Sequence, residues 1–252
     1  MSLDDLGPHD IDTEAIELDY DGHAIEAWHA RPEGMPIGGL VVIPDVGGLR
    51  PLFHDHAARL ASWGLAVIVI EPFFTLAPED RGADLDARLA QVKDFDDELV
   101  IGATETAADW LVVHDDAPSV AVIGFCMGGM YAMKVASAGR FDHAIAVYGM
   151  PHLPEYWKSP THQDPIAMID AASNPSPLLA IFGTEDALVP MEWVDDLRAA
   201  LTRVPKSEVV VYEGGEHGFV HDPSRPTHRA DDARDVWRRV FTVLGIERTP
   251  SV

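Results

Sequence analysis

Six short, largely apolar runs punctuate the chain: residues 39–44 (GLVVIP), 66–70 (AVIVI), 120–125 (VAVIGF), 144–148 (AIAVY), 178–182 (LLAIF) and 209–212 (VVVY). Continuous runs of this length suit strands buried on both faces of a parallel sheet. Ahead of them, residues 15–18 and 24–28 alternate apolar and polar around Asp21-Gly22, which predicts an opening hairpin. Helical spacing fills most of the intervals; Ala57, Leu60 and Ala61 predict a helix over about 53–63. Strands alternating with helices imply right-handed crossovers, and so an α/β fold whose mostly parallel sheet carries helices on both faces. With no internal repeat and no low-complexity linker, residues 1–252 read as one domain. The irregular piece is 150–177, where Pro151, Pro154, Pro160, Pro165, Pro175 and Pro177 interrupt both periodicities. A loop this long in a compact domain is expected to act as a partial lid over a site.

Composition narrows the classes. Hydrophobic residues make up 47% and charged residues 24% of the chain, which excludes disorder and disulfide-scaffold architectures. Against 42 acids stand 18 bases, a formal charge of -24, and such a field repels phosphate backbones and anionic lipid headgroups. Nucleic acid and membrane are therefore not expected partners. The acidity itself reads as solubility or adaptation to salt, since only four of the cations are lysines. A single cysteine, Cys126, precludes an intrachain disulfide and fits a reducing compartment. The first residues have neither a basic start nor an apolar core, so no signal peptide is read there, and the expected location is cytoplasmic.

One motif carries chemistry. Gly124-Phe125-Cys126-Met127-Gly128-Gly129 follows a buried strand and opens a helical pattern, the form of a nucleophile elbow. In that turn the nucleophile's backbone is strained, and the residues two before and two after it must be nearly free of side chain. The new helix aims free N-H groups at the thiol, with Met127 N-H as one oxyanion donor. Taken alone, Cys126 could equally be a small buried hydrophobe. The order of its partners decides otherwise: Asp186 follows the 178–182 run and His217 follows the 209–212 run. Both would lie at the carboxyl ends of strands, where open α/β sheets hold ligands. Nucleophile, acid, histidine is the chain order of α/β-hydrolases. His217 would take the thiol proton and Asp186 would fix its tautomer, giving acyl transfer to water without a cofactor.

At this point the sequence resembles the dienelactone hydrolase family, a cysteine-nucleophile branch of the α/β-hydrolases. The resemblance spans about 28–241 and rests on GFCMGG around Cys126, GTEDALVP at 183–190, EHGF at 216–219, the RPTH and ARDVWRRVF tail, and VIPDVGG at 42–48. It implies hydrolysis of a small-molecule carboxylic ester or lactone through an acyl-Cys126 thioester. Val46 N-H then joins Met127 N-H in the oxyanion hole, and Asp45 stands where the family's Glu helps position and activate the thiol, one methylene shorter. Family members that take anionic lactones use two arginines near the site. Here His221 occupies the place of one, and Arg81 or Arg88 is the candidate for the other, with Tyr148 as a further lining residue.

His54-x-His56 and His217-x3-His221 lack the further ligands a zinc site needs, so no metal is expected. Glu71 before Pro72 reads as a loop boundary, and Trp157 and Trp193 as packing aromatics. The alternative function is a catalytically weak ligand-binding or thiol-redox sensing protein on the same fold, suggested by the departures at Asp45 and His221. Oligomeric state is not legible in the sequence.

Overall fold

The computed structural model describes Leu3 and residues 5–246, so both ends of the expected 1–252 domain lie outside the described residues. Strands β1 (Ile11–Tyr20) and β2 (His23–Pro32) form the opening hairpin. They close on Asp21 and Gly22 with φ of 53° and 78°, the double positive φ that a two-residue hairpin turn of right-handed strands demands. Both run several residues beyond their alternating cores, because main-chain pairing continues where the side-chain pattern fades.

The remaining strands are β3 (Gly38–Ile43), β4 (Leu65–Ile70), β5 (Val120–Phe125), β6 (Ala144–Val147), β7 (Leu178–Gly183) and β8 (Glu208–Tyr212). Together they make an eight-stranded sheet of order β1-β2-β4-β3-β5-β6-β7-β8. The hairpin is antiparallel within itself and joins β4 antiparallel through β2, and every pairing from β4 to β8 is parallel. Every residue of β3, β4, β5, β6 and β7 is buried, as their unbroken apolar runs require.

The helices are α1 (Pro51–Ser62), α2 (Leu85–Gln91), α3 (Asp97–His114), α4 (Met127–Ala136), α5 (Pro165–Ala171), α6 (Met191–Leu201) and α7 (Ala230–Val243). α1 and α7 pack together through His56 against Trp237 and Trp63 against Phe241. α3, α4, α5 and α6 form a second, contiguous series. Among the described residues no helix is long and apolar enough to cross a membrane.

The Pro-rich segment is more ordered than its sequence suggests. It contains a 3-10 turn at Glu155–Trp157 and the helix α5, capped by Asp164, whose side chain accepts the Ala167 N-H. A buried ion pair anchors it. Lys134 Nζ lies 2.7 Å from Asp97 Oδ1, and Asp97 Oδ2 accepts the Gln163 N-H at 2.7 Å. The Tyr131 hydroxyl meets His162 Nε2 at 3.0 Å beside that pair.

Candidate active site

Parallel register brings the ends of β3, β5, β7 and β8 to one edge of the sheet, and the loops that follow them carry Asp45, Cys126, Asp186 and His217. Cys126 sits between β5 and α4 with φ 55° and ψ -118°, a conformation that L-residues rarely adopt. The turn is tight enough that a Cβ on Gly124 would stand 1.9 Å from the Gly128 carbonyl oxygen, and one on Gly128 would stand 2.1 Å from that of Ile43. Both positions therefore exclude any side chain. Met127 opens α4, so its N-H is one of the first-turn donors without an intrahelical acceptor.

His217 Nδ1 donates to Asp186 Oδ2 at 2.8 Å, and Asp186 Oδ1 accepts the Leu188 N-H at 2.9 Å, which fixes the carboxylate. The His217 Nε2 is buried, with no hydrogen-bond partner among the described residues. Burial opposes a charged imidazole here. The negative charge of a Cys126 thiolate, followed by the Asp186 hydrogen bond, outweighs it and raises His217 to about 10.

Asp45 is engaged elsewhere. Its Oδ1 accepts the Gly47 N-H at 2.8 Å and one Arg50 nitrogen at 2.5 Å; its Oδ2 accepts a second Arg50 nitrogen at 2.9 Å and His221 Nε2 at 2.7 Å. Arg225 adds a longer contact at 3.4 Å. Burial alone would raise this carboxyl, but His221 and Arg50 hold it far below the ordinary carboxylate range.

His221 and Tyr148, both fully buried, are bonded to each other through His221 Nδ1 and the Tyr148 hydroxyl. Burial keeps His221 below its ordinary value despite Asp45. A neutral His221 donating from Nε2 to Asp45 must accept at Nδ1, so Tyr148 is the donor there. The Tyr148 ring meets the His217 ring edge-on at 5.1 Å. The array Arg50, Asp45, His221, Tyr148 thus ties the loop after β3 to the loop after β8 behind the Cys126 turn.

The cavity that opens on Cys126 measures about 420 Å³ and is walled by Leu89, Ala90, Lys93, Tyr156, Trp157 and Leu188. The expected lining set, Arg81, Arg88, Tyr148 and His221, is not among these walls. Arg81 bonds Glu26 Oε2 at 2.5 Å and lies 3.9 Å from Glu71; Arg88 donates to the carbonyls of Gly47 and Gly82. Both guanidinium groups are bonded to acceptors within the protein. Glu71 is no mere loop boundary: buried, it accepts the Leu49 N-H and the Phe73 N-H at 3.0 Å each and pins the loop that carries Val46. Its only sequence signal was an acid at the carboxyl end of a buried strand.

The model of the dienelactone hydrolase family matches residues 25–247. The chain belongs to the dienelactone hydrolase family. As a member of it the protein is a hydrolase of the ester- and lactone-cleaving kind, on the α/β-hydrolase fold. It is 31% identical over 212 residues to a carboxymethylenebutenolidase from Rhodococcus opacus, covering 83% of this chain and 80% of that one. A Klebsiella pneumoniae structure, itself a candidate dienelactone hydrolase, superposes with a TM-score of 0.84 at 26% identity, covering 94% of this chain and 99% of that chain. The dienelactone hydrolase of Anabaena variabilis shares the fold, with a TM-score of 0.66 at 19% identity over 93% and 98% of the two chains.

Proposed function

We propose that this family member hydrolyses a small carboxylic ester or lactone through a Cys126-His217-Asp186 triad and an acyl-Cys126 thioester. The observation that carries the reading is the 2.8 Å Asp186-His217 bond, with the other nitrogen of the same imidazole left to a thiol at a strained strand-to-helix turn. Asp186 fixes the tautomer, and His217 takes the thiol proton and later delivers one to the leaving group. The tetrahedral oxyanion is held by the N-H groups of Met127 and Val46. Asp45 serves this site by anchoring the Val46 loop through Arg50 and His221, not by contact with sulfur. The chain acts as one domain, with the segment over 150–177 forming one wall of the cavity through Tyr156 and Trp157 as a partial lid. A cytoplasmic location fits its single, unpaired cysteine.

A pre-steady-state time course with p-nitrophenyl acetate, followed by intact mass, tests the mechanism. Wild type is expected to show a burst and an acyl adduct, and Cys126→Ala to lose both while keeping its far-UV spectrum. Undiminished turnover in Cys126→Ala overturns the thioester route. Reversible oxidation of Cys126 with saturable ligand binding and no ester turnover would instead favour the sensing alternative.

A further inference from the structure

Resting on the hydrolase reading above, the chemistry of the cavity identifies a substrate class. We infer that the site takes uncharged esters or lactones with an apolar acyl or ring portion and discriminates against those bearing a carboxylate.

The first observation is the wall. Leu89, Ala90, Leu188 and the rings of Tyr156 and Trp157 face a space of about 420 Å³ that opens on Cys126. Trp157 is fully buried, and its Nε1-H is already donated to the Leu89 carbonyl at 2.9 Å, so even its polar edge is committed. Such a surface rewards removal of hydrocarbon from water and gives a buried carboxylate little in return for its lost hydration, the exposed Tyr156 and Lys93 being its only side-chain donors besides Cys126.

The second observation is where the nearby cations have gone. Arg50 and Arg225 are on Asp45, Arg81 is on Glu26 and near Glu71, and Arg88 is on two backbone carbonyls. His221 is buried, held below its ordinary value, and has both ring nitrogens bonded within the protein. Drawing Arg50, Arg225 or His221 away would strand the buried Asp45, at a cost a substrate carboxylate would have to repay, and neither Arg81 nor Arg88 lines the cavity. Lys93 alone among the cavity walls carries a positive charge, and it is exposed at the mouth, where solvent and salt screen a point charge. The third observation is global: a formal charge of -24 lowers the approach rate of any anion.

The test uses two p-nitrophenyl esters with the same six-carbon acyl chain, the hexanoate and the adipate half-ester, which differ only in a terminal methyl or carboxylate. Initial rates are read on wild type, Cys126→Ala and Lys93→Gln, with the acetate and butyrate esters completing a chain-length series. The expected kcat/KM is at least tenfold higher for hexanoate than for adipate. It rises about fourfold per methylene from acetate to hexanoate, the effect of burying one CH2 group. Added salt narrows the gap by speeding the adipate ester only, and the preference persists in Lys93→Gln. An adipate ester hydrolysed as fast as the hexanoate overturns the inference, and loss of that parity in Lys93→Gln would name Lys93 as a carboxylate clamp. A flat chain-length series overturns the apolar-pocket argument. Absence of turnover on every ester overturns the hydrolase reading itself and this inference with it, whereas turnover that survives in Cys126→Ala overturns only the nucleophile.

Discussion

At the scale of single residues, two side chains of the proposed triad are shaped by their surroundings. Cys126 is held at φ 55° by the backbone contacts of its flanking glycines, and His217 is held charged by what lies on either side of it. The second fact has a sign. A histidine whose folded pKa is raised from 6.5 to about 10 binds its proton more tightly folded than unfolded. It therefore adds stability that is complete below pH 6.5 and is lost as pH rises through about 10. Because the Asp186 hydrogen bond is one of the influences raising it, Asp186→Asn is expected to lose less stability than wild type between pH 7 and 10. Urea denaturation across that range, followed by tryptophan fluorescence, reads the difference, and parallel curves for the two proteins would show that Asp186 does not hold the proton. Cys126, Asp186 and His217 were legible in the sequence because each follows its own strand in hydrolase order. The partners of Asp45 were not, since Arg50, His221 and Arg225 come together only through loops from opposite ends of the chain.

At the scale of elements, the apolar runs translated directly into β3 to β7, because a strand covered on both faces has no polar position to confuse its pattern, and the run at 209–212 into the half-buried edge strand β8. The segment over 150–177 did not. Its prolines suppress both periodicities, yet α5 starts on Pro165 behind the Asp164 cap, the place where proline suits a helix. What holds this segment is the Lys134-Asp97 pair, with the lysine wholly buried and the aspartate nearly so. Removing one partner leaves the other as an uncompensated buried charge. Asp97→Ala is expected to cost about 3 to 5 kcal/mol and to expose 150–164 to protease before the rest of the fold gives way. Chemical denaturation and limited proteolysis with mass mapping check the two parts, and a loss below about 1 kcal/mol would mean that the pair is offset by other contacts.

For the whole molecule, the excess of 24 negative charges acts as self-repulsion that added salt relieves. The melting temperature is expected to rise between 20 mM and 0.5 M NaCl, by calorimetry at neutral pH; a fall would mean that surface ion pairs such as Arg239 with Glu208 and Asp235 outweigh the net charge. The sequence by itself determined the α/β class, the opening hairpin, the strand order along the chain and the elbow around Cys126. These are local facts, written in hydrophobic periodicity and in the steric demand for glycine. Only the tertiary structure decided which cations are free, which carboxylate touches which imidazole and what walls the cavity. Those depend on distances between residues as far apart as Asp45 and His221, and no short-range pattern encodes the packing that brings them within 2.7 Å.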